Sequence, residues 1–287
     1  MSILDIDDVV VRFGGVTAVD HAQFSVAEHQ ITGLIGPNGA GKTTCFNVIT
    51  GLQKPTSGRV RFLGKDITAL AVHRRARRGM GRTFQRLEAF GSLSVRENVQ
   101  VARDIHEGLR GAFNRHRVDI DGILERVGIA AYANERADAI PTGTARLLEL
   151  ARTLTGDPQL LLLDEPSSGL DESETGDFGD LLRDLAAEGR AILMVEHDMD
   201  LVMSVCDEIH VLDFGRIIAA GTPAEIRRNP VVQEAYLGAH DPEADETVPE
   251  ETGAQETGAQ ETAAEQTRTD LPPVASDLTQ EIPAVKA

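Results

Sequence analysis

The sequence predicts an α/β protein built on a parallel sheet, and three observations point there. Two apolar runs, Leu160–Leu163 and Ala191–Val195, show no polar alternation and read as strands buried on both faces. Asp180–Glu188 between them reads as a crossover helix. A third apolar run, Ile31–Ile35, ends in a glycine-rich turn at Gly36, and a helix is expected from Lys42 to about Thr50 with Gly51 as its C-cap. Strand, helix and strand at this spacing make βαβ units.

The other elements follow in chain order. Leu4, Ile6 and Val9–Phe13 form one strand-like run, Phe24–Val26 a second, and Val60–Leu63 a short third. Residues 86–155 change character. Ser94 followed by Glu97 is a capping box. Ile120, Ile123, Leu124 and Val127 recur at helical spacing, and so do Leu147, Leu148, Leu150, Ala151 and Leu154. This stretch is expected to be a helical insert between sheet segments. Ile209–Asp213 and Arg216–Ala220 read as a hairpin turning at Phe214-Gly215. The run His73-Arg74-Arg75-Ala76-Arg77-Arg78 reads either as a solvated helix face or as a surface for anionic lipid headgroups.

The expected organisation is a folded body over 1–240, helical over about 86–155, and a tail over 241–287. The tail repeats ETGAQ, has no aromatic residue, and sets 12 Asp and Glu against only Arg268 and Lys286. It thus carries −10 of the chain's net −18. Such a segment cannot bury enough apolar surface to offset its ordering entropy, so it is expected to be a disordered acidic tail, either simply solvated or used for docking. A chain this acidic is not expected to bind nucleic acid. Two cysteines, Cys45 and Cys206, make no disulfide framework and suggest a reducing compartment. No run approaches 18 apolar residues and MSILDIDDVV lacks a signal-peptide pattern, so neither a membrane span nor a leader is expected.

The chemistry concentrates in two places. Gly36-Pro37-Asn38-Gly39-Ala40-Gly41-Lys42-Thr43-Thr44 fits G-x-x-x-x-G-K-[ST] between a strand and a helix. Glycines let the backbone N–H groups turn inward, and with the helix N-terminus they make a polyphosphate site. Lys42 would reach the β- and γ-phosphates, and the Thr43 hydroxyl would ligate Mg²⁺. Asp164 and Glu165 close an apolar strand, where Asp164 could hold Mg²⁺ and Glu165 could polarise an attacking water. Cys45 follows early in the same helix, where it is either a thiolate favoured by the helix dipole or a small buried hydrophobe.

With these motifs in this order, residues 1–238 resemble the ATPase subunits of ATP-binding cassette (ABC) transporters. The resemblance implies a P-loop NTPase (RecA-like) core with an antiparallel β subdomain and a helical subdomain. It also implies a head-to-tail dimer holding two ATP molecules with Mg²⁺. Gly36–Thr44 would be the Walker A loop, and Asp164 and Glu165 the Walker B aspartate and catalytic glutamate. Gln85, in Arg82-Thr83-Phe84-Gln85, would sense Mg²⁺ and the attacking water. Ser168–Asp171 would be the D-loop, His197 the switch histidine at the γ-phosphate, and Phe13 the aromatic stacked on adenine. At the signature loop, usually Leu-Ser-Gly-Gly-Gln, this chain has Ile140-Pro141-Thr142-Gly143-Thr144. Pro141 replaces the serine and offers neither hydroxyl nor N–H. Thr142 and the N–H groups of Gly143 and Thr144 remain to face the partner's nucleotide, and the departure suggests a heterodimer with unequal sites.

Arg12–Val19, Phe46–Gly51, Gly81–Gln85, Val195–Met199 and the closing run Gly221–Gly238 are similar to the ATPases of branched-chain amino acid importers. That likeness implies a second ATPase subunit, membrane permease subunits, indirect contact with an external solute-binding protein, and a place at the cytoplasmic face of the membrane. The alternatives are the ATPase of a lipid or polysaccharide exporter, or a soluble ABC ATPase outside transport.

Overall fold

The structure, a computed structural model, describes residues 1–83, 88–110 and 118–237. Gln85 and the tail over 241–287 lie outside the described residues.

The chain opens with a long hairpin, β1 (Ser2–Phe13) and β2 (Val16–Ala27). Val19, Ala22, Phe24 and Val26 turn inward between exposed polar neighbours, so β2 is much longer than Phe24–Val26. The register slips between Ile6 and Val9, where Asp8 and, on the facing strand, His21 have φ near 53° and 55°. Such bulges interrupt the period-2 pattern that would have marked one continuous pair. β3 (Ile31–Ile35) is buried at every residue, and α1 (Lys42–Thr50) ends at Gly51 as expected. β4 (Ser57–Phe62) and β5 (Lys65–Asp66) complete an antiparallel sheet of order β2-β1-β4-β5.

α2 (Val72–Ala76) carries the basic run. His73, Arg74, Arg77 and Arg78 are exposed, but Arg75 turns inward to 2% exposure, which corrects the reading of a wholly solvated face. Its guanidinium donates to the carbonyls of Val48 and Ile49 at 2.7 Å each, and to those of Leu70 and Thr68 at 2.9 Å each. Val48 and Ile49 lie in the last turn of α1, whose carbonyls lack partners within the helix.

β6 (Met80–Arg82) then leads to a helical stretch of α3 (Val95–Arg110), α4 (Ile120–Arg126), a 3₁₀ turn at Ala130–Tyr132 and α5 (Thr142–Leu154). The Ser94–Glu97 capping box forms in both directions. α5 begins at Thr142, ahead of the apolar spacing that starts at Leu147, because Pro141 has the extended backbone of an N-cap and Thr144 and Ala145 are already buried. β7 (Leu160–Asp164), α6 (Glu172–Ala187) and β8 (Ala191–Val195) follow. α6 starts at Glu172, well before the expected Asp180. A capping box between Asp171 and Glu174 nucleates it, and Gly179 is needed where Val205 of the next helix approaches. That helix is α7 (Met199–Val205), and after it come β9 (Glu208–Asp213), β10 (Arg216–Gly221), α8 (Pro223–Arg228) and α9 (Pro230–Leu237). Phe214 and Gly215, both at positive φ, turn the β9–β10 hairpin as expected.

The second sheet has the order β10-β9-β3-β8-β7-β6, parallel except for β10. Alternate residues of its central strands feed two apolar cores. Leu160 and Leu162 pack with α1 and the antiparallel sheet, whereas Leu161 and Leu163 pack with α5, α6 and α7. β6 and β7 are neighbours in space, so the helical stretch is an excursion between adjacent strands. Among the described residues no helix is long and apolar enough to cross a membrane.

Candidate nucleotide site

The carboxyl ends of β3, β7 and β8 lie side by side and present the loop Gly36–Gly41, the pair Asp164-Glu165, and Glu196-His197. Open α/β sheets bind ligands at this edge. The loop is drawn in tightly. A Cβ at Gly36 would stand 1.9 Å from the Leu212 carbonyl oxygen, and one at Gly41 would stand 2.4 Å from that of Ala18. Only bare backbone fits, and the chain is anchored further where the Gly215 N–H donates to the Ala40 carbonyl at 2.9 Å.

The first turn of α1 has no acidic residue and no side-chain cap, whereas α6 and α8 close theirs with capping boxes. Lys42 adds a positive charge there, so this helix end suits an anion. Its ammonium donates to the carbonyls of Gly36 at 2.5 Å and Pro37 at 2.9 Å. Burial pulls its pKa below the usual lysine value, while the charges of Glu165 and Asp164 push the other way. Thr43 is exposed, Thr44 half-buried, and Asn38 and Gly39 are open to solvent.

Asp164 is 3% exposed and pairs with Arg82 Nη2 at 3.1 Å. Burial raises its pKa, and Arg82 offsets part of that rise. Glu165 stands in the left-handed region at φ 49°, and its N–H donates to the Val195 carbonyl at 2.8 Å. A non-glycine residue held there is strained. One hydroxyl and a carboxylate beside a phosphate cradle are oxygen donors of the kind magnesium takes, with phosphate and water completing its shell.

The other expected residues fall at the margins. His197 follows β8, its side chain 70% exposed. Phe13 is half exposed at the end of the β1–β2 hairpin, whose second strand meets Gly41 through Ala18. Pro141 is the exposed N-cap of α5, and Thr142 and Gly143, which begin the helix, pack against Gly169, with Leu170 also close to Gly143. Asp171 serves as the N-cap of α6, its Oδ1 accepting from the Glu174 N–H at 2.8 Å. Cys45 is buried and its thiol pushed up to about 12, which overturns the thiolate reading. Sequence reasoning assigned no part to Arg82, Ser167 or Glu196, which hold the site's loops. Their only signal was adjacency to the motifs.

A phosphate loop leading into α1, set at the strand ends of a parallel sheet beside paired carboxylates, defines a nucleotide-binding ATPase. Comparison with known proteins narrows the class. Residues 19–168 match the family described as ABC transporter, and residues 216–242 match that described as branched-chain amino acid ATP-binding cassette transporter. The chain is 41% identical over 249 residues to the high-affinity branched-chain amino acid transport ATP-binding protein BraF of Pseudomonas aeruginosa, covering 82% of this chain and 98% of that one. It is 38% identical over 249 residues to LivG of Escherichia coli, with the same coverage of both chains. It is 33% identical over 238 residues to the lipopolysaccharide export protein LptB of Haemophilus influenzae, covering 83% of this chain and 98% of that one. The ADP conformation of the ATP-binding cassette MJ1267 superposes with a TM-score of 0.74 at 31% identity, covering 83% of this chain and 99% of that one. The chain belongs to the ATP-binding proteins of ABC transporters, and its fold is the ABC ATPase fold.

Proposed function

We propose that this chain binds ATP across Gly36–Thr44 and hydrolyses it to power import of branched-chain amino acids or similar small solutes. The observation that carries this reading is the loop Gly36–Gly41, which admits only bare backbone at Gly36 and Gly41 and opens onto α1 at the same sheet edge that ends in Asp164 and Glu165. Its likeness to BraF and LivG over nearly their whole length supports the substrate class.

Lys42 and the loop N–H groups would hold the β- and γ-phosphates and neutralise charge as it develops. Magnesium, held by Thr43 and Asp164 with Gln85 as a further ligand, would supply electrostatic shielding between the β- and γ-oxygens. Glu165 would orient the attacking water and take its proton, His197 would donate to the γ-phosphate, and Phe13 would stack on adenine.

Pro141, Thr142, Gly143 and Asp171 would face the nucleotide of a second ATP-binding subunit. The proline signature favours a heterodimer in which this chain's Walker residues do more of the hydrolysis. A cleft of about 320 Å³ between α2, β6, α3 and α5, lined by Leu52, Val72, Ile105 and Arg152, would suit a helix of a membrane permease. On this reading the chain would work at the cytoplasmic membrane face, with the solute-binding protein engaged only through the permease.

Uptake of labelled leucine, isoleucine and valine tests the reading in cells lacking the chain. Uptake should fall on deletion and return with the wild type but not with Glu165→Gln. Unchanged uptake together with an envelope-lipid defect would favour an exporter, the reading that the likeness to LptB keeps open.

A further inference from the structure

We propose that Glu196 is a positioning residue for ATP hydrolysis, which locks the loop carrying His197 to the loop that runs from Glu165 to Asp171. The inference rests on the roles given above to Glu165 and His197.

The Glu196 side chain is fully buried. Among the described residues the nearest basic side chain is that of His197, with Nδ1 at 3.6 Å, beyond hydrogen-bond distance. A buried carboxylate without a tight ion pair must be satisfied by hydrogen bonds, and this one is. Oε1 accepts from Ser167 twice, from N–H at 2.8 Å and from the hydroxyl at 2.6 Å. Oε2 accepts from the N–H groups of His197 at 2.9 Å and Asp198 at 3.3 Å.

The division matters more than the number. One oxygen serves the segment just after Glu165, and the other serves the segment that begins with His197. The N–H of Glu165 reaching the Val195 carbonyl makes a second stitch between the same two loops. Ser167 and His197 lie at the two ends of this bridge, so a shift of either loop pulls on the other. All donors present to Glu196 are N–H or O–H groups, which demands an acceptor-only side chain. A glutamine of the same shape would have to point its amide N–H₂ at one of the two loops, and so would release either Ser167 or His197.

The test uses the full chain assembled with its membrane partners and measures MgATP turnover, KM and thermal melting. Glu196→Gln should lower kcat at least about tenfold while KM stays within about twofold, the pattern of an interaction lost from the transition state. Ser167→Ala, which removes only the hydroxyl, should fold normally and lower kcat about threefold in the same pattern. In a His197→Ala background Glu196→Gln should add less than about twofold, because its effect travels through that loop. Equal losses in both backgrounds would overturn the proposal, as would lowered melting with kcat unchanged. A silent His197→Ala would overturn the assignment of His197 itself, and the two failures are distinguished by which single variant is silent.

Discussion

Arg82 and Asp164 meet across β6, at the edge of the second sheet, and its neighbour β7, Nη2 to Oδ2 at 3.1 Å, with side chains 9% and 4% exposed. Arg82 also donates to Asn47 Oδ1 at 2.8 Å and Thr50 Oγ1 at 3.2 Å. One guanidinium therefore ties β6 and β7 to α1, which carries Lys42, and its charge offsets part of the rise that burial causes in the Asp164 pKa. Removing it with Arg82→Met should destabilise the fold by about 3–5 kcal/mol near pH 7, the cost of breaking a buried pair. The pH dependence gives a sign. A carboxyl with a raised pKa binds more protons folded than unfolded, so its contribution favours the fold below the unfolded pKa and is lost as pH rises through the folded one. Without Arg82 that pKa rises further, so the deficit of the variant should shrink on acidification. Urea melts between pH 5 and 8 check this, and a deficit independent of pH would contradict it.

Arg75 closes the C-terminal end of α1 from outside the helix. Arg75→Met would strand the carbonyls of Ile49, Thr68 and Leu70 and leave that of Val48 with only the Gly51 N–H, and should cost about 3 kcal/mol or more by the penalty for unsatisfied buried acceptors. Arg77→Ala, on the exposed side, should fall within about 0.5 kcal/mol of wild type. Equal effects from the two would mean that the cap is not what holds this end of α1.

The parts legible in the sequence are those whose signal is local. Lys42–Thr50 with Gly51, the Ser94–Glu97 box and the Phe214-Gly215 turn each depend on residues within one turn of one another, and each is found where the pattern puts it. α6 begins eight residues before the expected Asp180 because Gly176 and Gly179 hide helical periodicity that capping and packing restore. β6 is three residues with a glycine at its centre and becomes a strand only through pairing with β7. Arg75 reads as one more charge in a basic run until the carbonyls it meets, 26 and 27 residues away, are known. The bond from Ser167 to Glu196 spans 29 residues and depends on the order of β7 and β8 in the sheet, which no single-sequence pattern encodes.

Cys45 and Cys206 should be inert in the folded protein. Both are buried, and burial holds both thiols up at about 12. Alkylation by iodoacetamide at pH 8 should run at least about a hundredfold slower than in the urea-unfolded chain, since the thiolate is the reactive form. Rapid labelling that ATP slows would return Cys45 to the nucleotide site.

Glu165 is the residue on which the chemistry turns, and paired measurements of MgATP affinity and turnover on the wild type and Glu165→Gln test that most directly. The expected result is an unchanged Kd with kcat lowered by about a hundredfold or more, because the side chain acts on the attacking water and not on the bound phosphates. Turnover surviving in Glu165→Gln, or a wild type without affinity for MgATP, would contradict the account.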